Sequence, residues 1–135
     1  MHFVSQNSRQ RYLTAFFSNS GHFLMHYMAA MYFTIILSLQ KEWNVNYEEL
    51  FELWFPASII IGLFSIPAGR MADIWSSPGM LIIMFFGMGF SSFFCSLVSE
   101  QLMLMLFLGS LGIFADIYYP VGIPWMIKTS GSNRV

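Results

Sequence analysis

An all-α polytopic membrane protein with four transmembrane helices follows from three features of this sequence. The first is composition: 56% of the 135 residues are hydrophobic and 10% charged, against roughly 25% charged in an ordinary soluble domain. The second is the spacing of the apolar runs. They fall at residues 14–39, 53–69, 79–98 and 102–127, each close to the roughly 20 residues a helix needs to cross a bilayer. The third is the placement of the bases. Arg9, Arg11, Arg70, Lys128 and Arg134 fall on one side of the runs, and only Lys41 on the other, in a loop with Glu42, Glu48 and Glu49. Bases in short flanking loops collect in the cytoplasm. The pattern predicts a multi-pass protein of the cell (inner) membrane with both termini cytoplasmic: a tail at 1–13, a four-helix domain at 14–127 and a second tail at 128–135.

The same composition excludes several classes. A formal net charge of −1 offers no basic patch for nucleic acid. The single cysteine, Cys95, lies inside the third run, so it forms no internal disulfide and no cysteine metal cluster, and reads as a small packing residue. Nothing in the pattern implies covalent chemistry. The expectation is a non-enzyme without cofactor or metal, whose surroundings are the lipid bilayer.

In the first run Ser18, His22, His26, Ala30, Thr34 and Ser38 recur every four residues. A helix turns every 3.6 residues, so this line drifts, and only a local group such as Ser18, His22 and His26 shares a face. Two histidines at this spacing can bind a metal, but no third ligand is apparent. They read either as polar residues hydrogen-bonding between helices or as part of a proton or substrate path. The loop at 40–50 is polar, with Trp43 and Tyr47 suited to the interface. In the second run Ser58, Gly62, Ser65 and Gly69 predict a small-residue face for close helix contact. Pro56 suits a first helical turn, and Pro67 predicts a kink or an end. The third run carries glycines and serines for packing. The short turn that follows makes the third and fourth helices antiparallel neighbours.

The fourth run contains Asp116. A charge at the centre of a bilayer costs about 2.5 to 3.5 kcal/mol on the mildest scale, so such a residue normally faces protein or water and is a functional candidate. Gly109, Gly112 and Tyr119 share its face. Pro120 denies a hydrogen bond to the carbonyl of Asp116, and Pro124 to that of Pro120, so carboxylate and interrupted backbone coincide. The first and fourth runs are centred near His26 and Phe114, which puts His26 and Asp116 at comparable depth.

Gly69-x-x-x-Asp73, with Ala72, lies between two membrane helices and resembles the first half of the loop signature of major facilitator superfamily transporters. Ile74, Ser76, Ser77 and Pro78 depart from its basic second half. The stretch GIFADIYYPVGIPW resembles the fourth helix of the fosmidomycin-resistance-like efflux branch of that family, and GHFLMHYM resembles its histidine-bearing opening segment. Leu108 stands where many proton-coupled members carry arginine. The resemblance implies inverted three-helix repeats with a midplane cavity lined by the first and fourth helices. It implies a latch at Asp73, whose reading from the residues alone is a helix N-cap or turn residue. It also implies that the chain holds one triplet and the first helix of the next, a fragment of the N-terminal half with its truncation point in the second tail. The expected function is secondary transport of a small solute, coupled to protons or another cation, completed by the missing helices or a homo-oligomer. Asp116 would be the responsive carboxylate, His22 and His26 relays, and Tyr27, Tyr118 and Tyr119 walls of the path. The alternative is a non-transporting membrane piece that packs with partner helices.

Overall fold

The computed structural model describes residues 8–130; Arg134 and the rest of the two ends lie outside them. Helix α1 (Ser8–Glu42) is followed by a short α2 (Tyr47–Glu52), then α3 (Trp54–Ile74), α4 (Ser77–Cys95) and α5 (Gln101–Asp116). A π-helical turn over Tyr118–Gly122 joins α5 to α6 (Ile123–Ser130). Four stretches are long and apolar enough to cross a membrane: Ser8–Glu42, Tyr47–Ile74, Ser77–Cys95 and Gln101–Thr129.

Several boundaries differ from the sequence expectation, each for a local reason. Residues 8–13 are helical and continuous with α1, because nothing between Ser8 and Thr14 breaks a helix. The connection between the first and second apolar runs is mostly helical. Asn44 turns the chain at φ 52°, a conformation that asparagine tolerates better than most residues. Asn46 then precedes α2, whose Glu48 and Glu49 lie in the first turn, where negative charge complements the helix dipole. The break between α2 and α3 follows from Pro56, which leaves the carbonyl of Glu52 without its donor four residues on. Pro67 does not end α3, which runs on to Ile74. At the start of α4, Ser76 is the N-cap and its Oγ accepts the Gly79 N–H at 3.1 Å, with Pro78 in the first turn. Asp73 lies in the last turn of α3, so its reading as an N-cap is corrected. Ser76, Ser77 and Pro78 make a helix start out of the positions that depart from the transporter signature.

Helix α5 is the centre of the bundle, gripped by α4 on one side and α3 on the other. Against α4 the register is antiparallel. Phe94 stacks on Phe107 with centroids 5.2 Å apart, Ser91 bonds Ser110 at 2.9 Å, and Gly87 lies under the ring of Phe114. Each step of three or four back along α4 meets the same step forward along α5. Against α3 the register is parallel. A Cβ on Gly112 would meet the Ala57 carbonyl oxygen at 3.1 Å, Asp116 bonds Ser65, and a Cβ on Gly69 would meet Pro120 at 3.3 Å. Small residues on both sides let these backbones approach. Met84, Leu111, Tyr118 and Val121 belong to one core cluster, and Tyr32, Ile36, Leu50, Leu104 and Leu108 fill a second.

The small-residue face predicted on the second run is rotated in the structure. Ser65 and Gly69 pack against the fourth helical run, but Ser58 and Gly62 are exposed, and a Cβ on Gly62 meets nothing within 4 Å. The contact falls instead on Ala57, Ile61, Ser65 and Ala68, because consecutive residues lie about 100° apart around a helix and the face that meets α5 is set one residue before Ser58 and Gly62. Gly62→Ala should therefore leave thermal stability in detergent unchanged or raise it by up to about 1 kcal/mol through helix propensity. A loss at Gly62 as large as at Gly112→Ala would contradict this packing.

The outward surface is strongly apolar. Phe86 is 78% exposed, Ile66 71% and Phe23 66%. Contiguous apolar surface on this scale calls for lipid or partner helices around it.

Candidate functional site

The sequence singled out Asp116, His22, His26, Tyr27, Tyr118 and Tyr119, and the structure divides them into three groups. Asp116 closes α5 and is 2% exposed. Its carboxylate turns to α3, where the Ser65 Oγ lies 2.9 Å from one oxygen and 2.8 Å from the other. The same hydroxyl is 3.4 Å from the Ile61 carbonyl oxygen in its own helix. One hydroxyl proton thus has three acceptor oxygens within reach. Sequence spacing marks Ser65 only as a packing residue; its hydroxyl, within an apolar run, is the signal that points to a polar partner.

Two residues further on, Tyr118 points the other way, since two residues turn a helix by about 200°. It is buried and stacks on His22 with centroids 4.9 Å apart and planes 9° apart. His22 and His26 face each other through their Nε2 atoms at 3.0 Å, so one ring donates and the other accepts. Tyr119 meets His22 edge-on at 6.5 Å and is exposed. Tyr27 stands apart, stacked on Phe23 at 5.6 Å. Asp116 turns to Ser65 of α3, whereas His22 packs on Tyr118 of the π turn and His26 on His22, so the carboxylate and the histidines face different neighbours.

The interruption expected at Pro120 and Pro124 is a single π turn. Pro120 lies within it, and Pro124 follows it as the second residue of α6. Widening the turn by one residue is how a helix absorbs the lost bond without breaking, and such turns recur at functional sites. The turn is held from outside. Ser18 of α1 donates to the Gly122 carbonyl at 3.0 Å in a buried bond. Gly122 itself must be small, because a Cβ there would meet the Tyr118 ring at 2.7 Å.

Of the loop pair, Gly69 lets α3 approach Pro120. Asp73 reaches Lys128 of α6 at 3.8 Å, with both side chains largely exposed. A pair this exposed contributes about 0 to 1 kcal/mol. It ties the end of α3 to the end of the fourth apolar run.

Among the described residues no group of three or more histidine, cysteine, aspartate or glutamate side chains could hold a metal ion. The fold defines an all-helical chain with four helices long and apolar enough to span a membrane. Comparison with protein-family models, with curated proteins and with solved structures found no match.

Proposed function

We propose that this chain is the membrane-spanning segment of a secondary transporter that moves a small solute, with Asp116 as its proton-responsive group. The observation that carries this reading is the set of oxygens around Ser65. With Asp116 charged, the Ser65 hydroxyl donates to the carboxylate. With Asp116 protonated, the acid donates to the Ser65 Oγ, and the Ser65 hydroxyl turns its proton to the Ile61 carbonyl. The same heavy atoms serve both states, so a proton can be gained or lost without repacking two helices. The adjoining π turn supplies backbone that shifts register at little cost, and the stack of His22 on its Tyr118 gives α1 a hold on it. Sequence resemblance to the major facilitator superfamily and its fosmidomycin-resistance-like efflux branch supports the same reading. A homo-oligomer, or further helices, would complete the path through the exposed apolar faces.

A second reading is favoured by one observation. Asp116 is enclosed and bonded to a neighbouring helix, which is also what a purely structural polar tie looks like. In that case the chain binds partner helices and moves nothing.

Two measurements test the proposal. Reporter fusions after Gly131 and within residues 44–47 should report cytoplasm and exterior respectively; the same side for both would exclude the four-span arrangement. In proteoliposomes dense enough for self-association, a pH gradient should drive accumulation of at least one radiolabelled solute from a panel of amphipathic anions and cations above that in empty vesicles. Uptake equal to empty vesicles across the panel would favour the structural reading.

A further inference from the structure

A cavity of about 430 Å³ opens between α1, α4 and α5, away from Asp116. Its volume lies within the roughly 300 to 1,000 Å³ of sites that hold drug-sized ligands. The buried side chains of Leu104, Leu108 and Leu111 form its inner wall, and Met28 and Met31 line it from α1. Methionine is adaptable, so this wall accepts apolar bodies of more than one shape. The polar groups inside are largely engaged. The Tyr32 hydroxyl donates to the Leu50 carbonyl, Ser92 to the Met28 sulfur at 3.5 Å, and Ser96 to the Phe93 carbonyl at 2.6 Å.

Glu42 is different. It is exposed and lines the cavity together with the next residue in the chain, Trp43, and no lysine or arginine is among the lining residues. Among the described residues no ion pair engages it. An apolar interior with one carboxylate and an aromatic ring at its edge is complementary to a ligand with an apolar body and a positive charge. We propose that this cavity binds an amphipathic organic cation, its apolar part against Leu104 and Leu108 and its charge beside Glu42. The inference stands on the cavity alone and holds whether or not Asp116 couples transport to protons.

Cys95 makes the site readable, because the chain's single cysteine lines the cavity. The test uses the full chain in phosphatidylcholine nanodiscs, with tetraphenylphosphonium as the cation and triphenylphosphine oxide as a neutral relative. Equilibrium dialysis should show saturable binding of one phosphonium per chain above empty discs, weakened at least about threefold in Glu42→Gln, as suits a partly screened charge. The bound cation should also slow alkylation of Cys95 by N-ethylmaleimide, and the oxide should do so less. No binding above empty discs, or equal binding by wild type and Glu42→Gln, would overturn the proposal. Binding without protection of Cys95 would overturn it too, by placing the cation elsewhere. Equal protection by the neutral oxide would assign the cavity to lipid chains.

Discussion

Gly87→Ala is expected to destabilise the bundle, although alanine is the better helix former by about 1 kcal/mol. A Cβ at this position falls inside the ring of Phe114, against its root as well as its edge. The ring cannot slip aside by a small rotation. It must leave the slot between α4 and α5, and overpacking of this kind costs about 1 to 3 kcal/mol, more for Gly87→Leu. Gly89, two residues on, supplies the control, because a Cβ there meets nothing within 4 Å. Thermal unfolding in detergent should show Gly87→Ala well below wild type and Gly89→Ala at or above it. Phe114→Leu should restore part of the loss in the double variant. Equal stability of the two alanine variants would mean that α4 and α5 do not pack in this register.

The second large effect is expected at the Ser65–Asp116 pair. Ser65→Ala removes the side-chain donor that the carboxylate has among the described residues, and stranding a buried polar partner costs about 1 to 3 kcal/mol, more when that partner is charged. Asp116→Asn should be milder, since its amide oxygen still accepts from Ser65. Adding Asp116→Leu to Ser65→Ala should recover stability relative to Ser65→Ala alone, because an apolar pair leaves nothing unsatisfied. Additive losses in that double-variant cycle would show that the two side chains do not interact.

Much of this architecture was legible in the sequence, for identifiable reasons. The four apolar runs carry their own lengths, and the short turn after Val98 dictated the antiparallel pairing of α4 and α5. Gly109 and Gly112 were assigned to the face of Asp116 by spacing alone, and α3 does pack there. Rotation about a helix axis was harder to read. A hydrophobic helix has no polar side to mark its outer face, so Gly62 looked like an inner residue although it points outward. For the same reason the partner of Asp116 could not be chosen: equal depth pointed to His26, whereas azimuth selected Ser65. The cavity beside Glu42 depends on side chains from three helices at once, and no local pattern announces it.

On the proposed reading, the Asp116 proton couples solute movement to a gradient. Gradient-driven solute uptake by Asp116→Asn beside wild type, in matched proteoliposomes and with folding checked by thermal unfolding, tests this most directly. The substitution keeps size and hydrogen bonding but removes titration. The proposal predicts a well-folded variant that still equilibrates the solute yet no longer accumulates it against a gradient. Undiminished accumulation by a well-folded Asp116→Asn would contradict it.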